Sequence, residues 1–500
     1  MAMPEGGDAD NTRVMGQAWR LAACLASYRL EPLVFAYALS VTLIMATSQN
    51  LIMDRVCTVN LEFNSSICAN ITNHQYLAQE NDVQRLANKF VLYRSLIEVL
   101  PSVLFTLFMG SWSDCHGRKL PLLLPIAGSI LTCGVYIAFS VVKNIPAQYL
   151  LFASIPQALT GGSTVFLMAS FSYLSDITGQ RDRTARLGVL DVCFLAPLAV
   201  GFVTSGAAVQ RVGYVPLYCA SGGLMLLVLL YGALLVPESR SPQQLALSAA
   251  AAGSVVSKRN VRRIVHTCFR RRHGYNRSTI LLAMLGFIAH EMTLNGESSI
   301  TLPYVKRVLD WDYQAYTTYA SIVLLVCMVY NLVVLPVLSY VLGVGDSVIG
   351  LVCEVLRIVG LALRGVVTTT GLFYGVTMIG LPGSLVTVVL RSIISKNVAK
   401  EELGVVFSFL AAVESICAMA TASAFLLLYN AVLDRGPGVV WLIAAGVTSP
   451  ALLVLLVCLV RERRGDMGYA QVLSEQEERD RREESQEPED NTDDATIFQH

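Results

Sequence analysis

Twelve apolar runs, each long enough to cross a bilayer as a helix of about 20 residues, dominate this 500-residue chain. Water is absent from the hydrocarbon core, so a segment there must satisfy every backbone amide internally. An α-helix does so within one segment. The runs read as 32–53, 90–110, 120–142, 149–175, 187–209, 215–236, 279–301, 315–342, 347–367, 370–394, 404–429 and 438–460. Six spans, a polar linker and six more spans predict an all-α membrane protein, its twelve transmembrane helices forming two six-helix bundles. The expected order is a cytosolic tail (1–31), a first bundle (32–236), a basic linker (237–278), a second bundle (279–460) and an acidic tail (461–500). Charged residues make up 15% of the chain, against about 25% in soluble domains. The first apolar run begins near Pro32 and is too long for a cleavable signal peptide, so none is expected.

Lys and Arg orient the spans. With both tails in the cytosol, 25 of the 37 fall on cytosolic segments, 8 on the opposite side, and Arg94, Arg357, Arg364 and Arg391 inside spans. That asymmetry obeys the positive-inside rule. It places the first loop, 54–89, outside or in a lumen. The loop carries two glycosylation sequons, at Asn64 and Asn70. Cys57 and Cys68 share the same oxidising loop, where they can pair or stay free. A third sequon, at Asn276, falls on the cytosolic side and is expected to stay bare. The linker's cations, from Lys258 to Arg272, suit a segment lying on anionic lipid headgroups better than one binding nucleic acid. The 11 acidic residues between Glu475 and Asp494 predict a disordered tail. Gly468-Tyr469-Ala470-Gln471-Val472 resembles a tyrosine-based sorting signal, which leaves the plasma membrane and the endosome or lysosome as destinations.

The most specific run lies between the second and third spans: Gly110, Asp114, Gly117, Arg118 and Lys119. It fits the pattern GxxxDxxGR[KR] and is similar to the gating loop of the major facilitator superfamily. The spacing demands a tight turn, in which glycine permits positive φ and close backbone approach. Asp114 is suited to helix N-terminal amides and to a cation on a neighbouring helix; Arg183 or Arg186, after span four, is the expected partner. Pro237-Glu238-Ser239-Arg240, closing span six, is a second and weaker match to such carriers.

An ionised side chain inside a span costs about 2.5–3.5 kcal/mol on insertion scales, so each needs a partner, a water cavity or a task. Arg94 and Glu98, four apart, predict a mutually neutralising pair. Asp191 stands alone in span five. Span seven carries His290 and Glu297 on one face, with Glu291 turned roughly 100° away. Glu354 and Arg357 in span nine have the spacing to pair, Arg364 follows, Arg391 lies in span ten, and Glu414 lies in span eleven. Histidine titrates near physiological pH, so His290, Asp191 and Glu297 are candidate proton-coupling groups. Arg357, Arg364 and Arg391 suit an anionic substrate, because a guanidinium fork matches carboxylate and phosphate.

The sequence shows no Walker loop, GxSxG or GxGxxG in strand–helix context, and His290-Glu291 begins an HExxH pattern whose second His is missing. No enzymatic activity and no cofactor are expected beyond a proton as coupling ion. The twelve cysteines form no CxxC or Cys/His cluster, so no metal site is expected. Over most of residues 30–460 the chain resembles the proton-coupled folate transporter and thymic stromal cotransporter family. The likeness rests on the glycosylated first loop, the Asp114 turn, Ser175-Asp176 with Arg181 to Arg186, Asp191, the His290 region and Leu390-Arg391 through Gly404. The resemblance implies a proton role for Asp191 and His290, and substrate handling by Arg391. It places Asp176, Arg183 and Arg186 with the gating loop. Two features depart from the family: Asp191 stands where folate-transporting members have Glu, and 302–314 has no cysteine to bond with the first loop. The expected activity is proton-coupled carriage of a small organic anion: folate-like, a muropeptide or a cyclic dinucleotide. A proton-driven drug antiporter is the nearest alternative, since Ala196-Pro197 and Gly201 faintly resemble an antiporter motif; a non-transporting receptor on the same fold is another.

The topology makes a direct prediction. A glycosidase mobility shift is expected in the wild type and lost in Asn64→Gln with Asn70→Gln; a shift that survives both changes contradicts the assigned orientation.

Overall fold

The computed structural model describes residues 28–69, 76–142, 144–240, 276–311, 313–399, 402–432, 436 and 438–464. Asn70, most of the basic linker, the sorting-like stretch 468–472 and the acidic tail lie outside the described residues. In the first half, α1 is Leu30–Arg55, α2 Leu77–His116, α3 Lys119–Val141, α4 Ala147–Ile177, α5 Arg183–Val212 and α6 Tyr214–Leu235. In the second, α7 is Asn276–Val308, α8 Ala315–Val341, α9 Asp346–Arg364, α10 Thr370–Lys396, α11 Leu403–Val432 and α12 Val439–Arg463. Eleven of these are long and apolar enough to cross a membrane. The twelfth, α9, has the length, but its 19 residues include Asp346, Glu354, Arg357 and Arg364.

Most boundaries fall within a few residues of the hydropathic reading. Helix α2 departs most, starting at Leu77 against an expected 90, and α7 ends at Val308 against an expected 301. Residues 77–89 are polar but rich in Ala, Leu, Gln, Glu, Arg and Lys, which favour helix regardless of hydropathy. The 40-residue helix is about 60 Å long and projects beyond a ~30 Å core. The first loop is correspondingly shorter. Within it Cys57 and Cys68 are disulfide-bonded, and Asn64 is exposed just before a five-residue helix, Ser65–Ala69.

Within the first half, α1 packs on α5 and α6, and α3 packs on α6. Within the second, α7 packs on α11 and α12, and α9 on α10 and α12. The halves meet where α2 and α4 press on α11, and where α5 presses on α8 and α10. At that seam Gly404 and Gly110 bring the backbones of α11 and α2 together; a Cβ on Gly404 would strike Arg118 and Asp114.

The end of the molecule carrying the Asp114 loop is closed by a charge network. Asp114, fully buried, accepts the amides of Gly404 (2.9 Å) and Val405 (3.0 Å) at the start of α11. A carboxylate there satisfies orphan N–H groups and meets the positive end of the helix dipole. Its cations are Arg118 (2.6 Å) and Arg240 (3.5 Å). Arg118 also holds Asp176 at 2.9 Å, and Glu238 accepts the Arg118 and Lys119 amides at 2.7 and 3.1 Å. Gly117 turns at φ 101, and a Cβ there would meet the Glu238 carboxylate. The expected partners Arg183 and Arg186 are thus corrected. Arg183 bonds the carbonyls of Ser395, Ser175 and Thr178, and Arg186 pairs with Glu31 at 2.5 Å. The reason is direction: both arginines start α5, which faces α10 and α1, whereas Asp114 faces α11. A second clasp closes the same end, where Asp346 accepts from Thr184 (2.8 Å), Ser392 (2.9 Å) and Lys396 (2.7 Å).

Removing one partner of a buried ion cluster costs about 3–5 kcal/mol, so Asp114→Ala is expected to slow uptake by roughly tenfold or more at equal surface protein. Uptake at the wild-type rate in that variant contradicts the clasp, and exchanging charge with Arg183 or Arg186 is expected to give no rescue.

Candidate functional site

Past the closed end lies a cavity of about 550 Å³, lined by α5, α7, α8, α9, α10 and α11. Its floor begins eight residues into α5 at Asp191 and eleven into α11 at Glu414, about 12–16 Å along each helix and near mid-membrane. Level with the floor, Thr164 meets Ser415 at 3.0 Å, and nearer the clasp the rings of Phe171 and Phe407 stack at 6.0 Å.

Three carboxylates border the floor: Asp191, Glu291 and Glu414. Arg391 lies beneath them, buried, with Glu414 at 2.8 Å and Asp191 at 3.8 Å. Its guanidinium sits 4.0 Å over the Phe171 ring and 5.5 Å from that of Phe287. Glu291 makes no ion pair among the described residues; it accepts from Thr387 at 2.9 Å and Asn295 at 3.5 Å. Arg391 does not itself border the cavity in this conformation and reaches it through its partners Asp191 and Glu414. The two acids and two rings around it hold the side chain below the floor.

The opposite wall is basic. Glu297 bridges Arg357, at 3.0 Å, and Arg364. Both arginines are more than nine-tenths buried, line the cavity, and have an Nε without a partner among the described residues. Arg364 is held by cation–π contacts to Trp441 (5.2 Å) and Phe373 (5.7 Å). They point inward because α9 is amphipathic in reverse. Glu354, Arg357, Leu361 and Arg364 recur at helical spacing on its buried face, while Val352, Val355, Val359 and Leu363 are exposed. The expected Glu354–Arg357 pair does not form, because facing helices offer each a closer partner.

Glu354 takes His290 instead, with Nδ1 at 2.9 Å, and accepts from Thr448 at 2.5 Å. His290 is fully buried between α7, α9 and α12 and does not border the cavity. Its neighbour Glu291, rotated about 100°, does. The sequence reading passed over Glu291 and Glu414 as site residues. Their signal was a shortage of cations: α5, α7 and α11 each carry an intramembrane acid toward the single Arg391. The Arg94–Glu98 pair forms as expected, at 3.2 Å, away from the cavity.

Two helical halves, clasped at one end around a central cavity with ionisable walls, define a polytopic secondary carrier. The chain belongs to the Major Facilitator Superfamily, whose profile matches residues 94–422. The proton-coupled folate transporter of Bos taurus is 26% identical over 448 residues, 88% of this chain and 94% of that protein. The probable peptidoglycan muropeptide transporter of Drosophila melanogaster is 25% identical, covering 83% and 82% of the two chains. The lysosomal proton-coupled steroid conjugate and bile acid symporter of Mus musculus is 24% identical, covering 90% and 97%. Among solved structures, the human organic anion transporter TETRAN has a TM-score of 0.64 at 15% identity, covering 86% of this chain and 99% of that one. The fucose:proton symporter of E. coli has a TM-score of 0.61 at 10% identity, covering 87% and 98%. Both share the fold.

Cys327 of α8 lines the cavity. A charged, membrane-impermeant methanethiosulfonate applied from the side opposite the Asp114 clasp is therefore expected to block uptake. Cys327→Ser is expected to be spared; equal block of that variant would contradict the cavity as the solute path.

Proposed function

We propose that the chain is a proton-coupled symporter of a small organic anion. Arg357 and Arg364 bind the anionic group, and Asp191 takes up and releases the proton. The observation that carries the reading is one cavity bordered by two such different sites. On one wall two buried guanidiniums share a single carboxylate; on the floor Asp191 stands 3.8 Å from an arginine whose nearer partner is Glu414. A carboxylate that shares its cation with a second acid can lose its charge without stranding the cation. Neutral Asp191 leaves Arg391 paired with Glu414 alone and loosens the tie between α5 and α10. Those helices meet at the seam between the halves, so the floor is placed to couple proton binding to opening. His290 acts as a strut, positioning α9 and its arginines through Glu354. The names of the Bos taurus and Mus musculus relatives, both proton-coupled, support symport over drug antiport.

Initial uptake of folate, a muropeptide and a cyclic dinucleotide, measured between pH 5.5 and 7.4, tests the assignment. Wild-type uptake is expected to rise as external pH falls, because the proton and the anion enter together. Asp191→Asn, a permanently neutral isostere, is expected to flatten that profile. Arg364→Ala removes a charge-assisted contact of about 1.5–3 kcal/mol, so KM is expected to rise roughly 10- to 100-fold at every pH. His290→Gln is expected to change KM and keep the slope with pH. An unaltered pH profile in Asp191→Asn would sink the proton role, and an unaltered KM in Arg364→Ala the anion role.

A further inference from the structure

The charged groups around the cavity are sorted by sign along its length. Glu291 and Glu297 mark the two ends on one helix; six residues apart, they are roughly 9 Å from each other along the axis. At the floor, three carboxylates from α5, α7 and α11 border the cavity, and one guanidinium, Arg391 of α10, pairs with two of them, Asp191 and Glu414. At the far wall, two guanidiniums of α9 meet the one carboxylate, Glu297. Between them the wall is Leu294, Val323, Leu324 and Leu361, with the Cys327 thiol and the Tyr319 phenol on α8. Neither end is balanced, and an unbalanced charge in a low-dielectric site is costly. The far wall lacks one negative charge, and both guanidiniums line the cavity in which a solute anion would supply it. The floor lacks two positive charges. Asp191 and Glu414 share Arg391, which leaves one acid of that pair over, and Glu291, 5% exposed, has no cation within ion-pair distance among the described residues.

One solute balances both ends. We infer that the transported molecule is amphoteric, with a cationic amine seated at Glu291 and one anionic group, about 9 Å away, seated on Arg357 and Arg364. The inference rests on the cavity being the transport site. Its two charges and one coupled proton bring each end to neutrality. The proton sits on the Asp191–Glu414 pair, the amine answers Glu291, and the anion joins Glu297 between the two arginines. Thr387, which donates to Glu291, fixes that carboxylate facing the cavity. A purely anionic solute satisfies the far wall and leaves Glu291 to be neutralised by a second proton, and a dianion of the same length sets a second negative charge against the acids of the floor.

Backbone-extended tri-alanine places an ammonium and a carboxylate about 10 Å apart, which makes it a minimal probe. Binding of tri-alanine, N-acetyl-tri-alanine, tri-alanine amide and suberate to the purified full-length carrier can be measured at pH 5.5 by thermal shift, and uptake of each in proteoliposomes. Tri-alanine is expected to bind at least about tenfold more tightly than either capped peptide or suberate, each of which lacks one partner charge. Glu291→Gln is expected to abolish the discrimination between tri-alanine and its N-acetyl form, and Glu291→Asp to retain part of it. If Glu291→Gln does not fold, the capped-peptide comparison on the wild type still decides. Tighter or equal binding of suberate or the N-acetyl peptide, or no binding of any probe, overturns the amphoteric site. Uptake of suberate that depends on pH but not on an amine sinks this inference and leaves proton-coupled anion carriage standing. Uptake of every probe without pH dependence removes the proton-coupled reading itself.

Discussion

The Asp114 carboxylate at the N-terminus of α11 is the contact on which the arrangement of the two halves rests. It joins the first half to the second through two backbone amides, and through Arg118 and Arg240 it joins α2 to α4 and to the end of α6. None of these groups is well solvated, so each depends on the others for compensation. Such a network is cooperative: loss of one member leaves several buried charges without partners. Opening that end would require several of these contacts to be given up together. The Asp346 clasp repeats the logic from the other half. There a second-half carboxylate holds the first residues of α5, as the first-half Asp114 holds the first residues of α11.

Compensation of charge also shapes the interior. Helix α9 is the least apolar span because it bears the groups that the cavity and its supports need, and it is tolerated because every charged side chain on it has a partner. Arg357 and Arg364 answer Glu297, Glu354 answers His290, and Asp346 answers Lys396. The valines on its other side are exposed on the outer face of the bundle. Arg391 follows the same rule with different partners. Its charge is met by two acids and two aromatic faces, which holds it under the cavity instead of in it.

Transport requires that some of these pairings break and reform. The floor is the place where that is least costly, because Asp191 and Glu414 share one cation and neither pairing is obligatory. The far wall is more rigid: Glu297 spans both arginines and Arg364 is stacked on Trp441. A braced wall facing a floor with an alternative pairing is the contrast on which the proposed symport rests.

Much of this was legible in the sequence. Apolar run length alone predicts twelve spans and their approximate ends, because the bilayer admits one local solution. The Asp114 turn was legible because its glycines and charges are local. The intramembrane charged residues around the cavity were all visible as violations of hydropathy. What the sequence could not supply is who faces whom. Arg183 is nearer to the motif in expectation than in space, since the direction of α5 decides its partners. His290 and Glu291 are adjacent in the chain, yet one packs against α9 and α12 and the other opens onto the cavity, and only the rotation of α7 in its packing distinguishes them. The inventory of charges was fixed by composition; their sorting into an acidic floor and a basic wall arises from six helices meeting. Helical periodicity sets which residues share a face, while packing between helices, which no local pattern encodes, decides what that face meets.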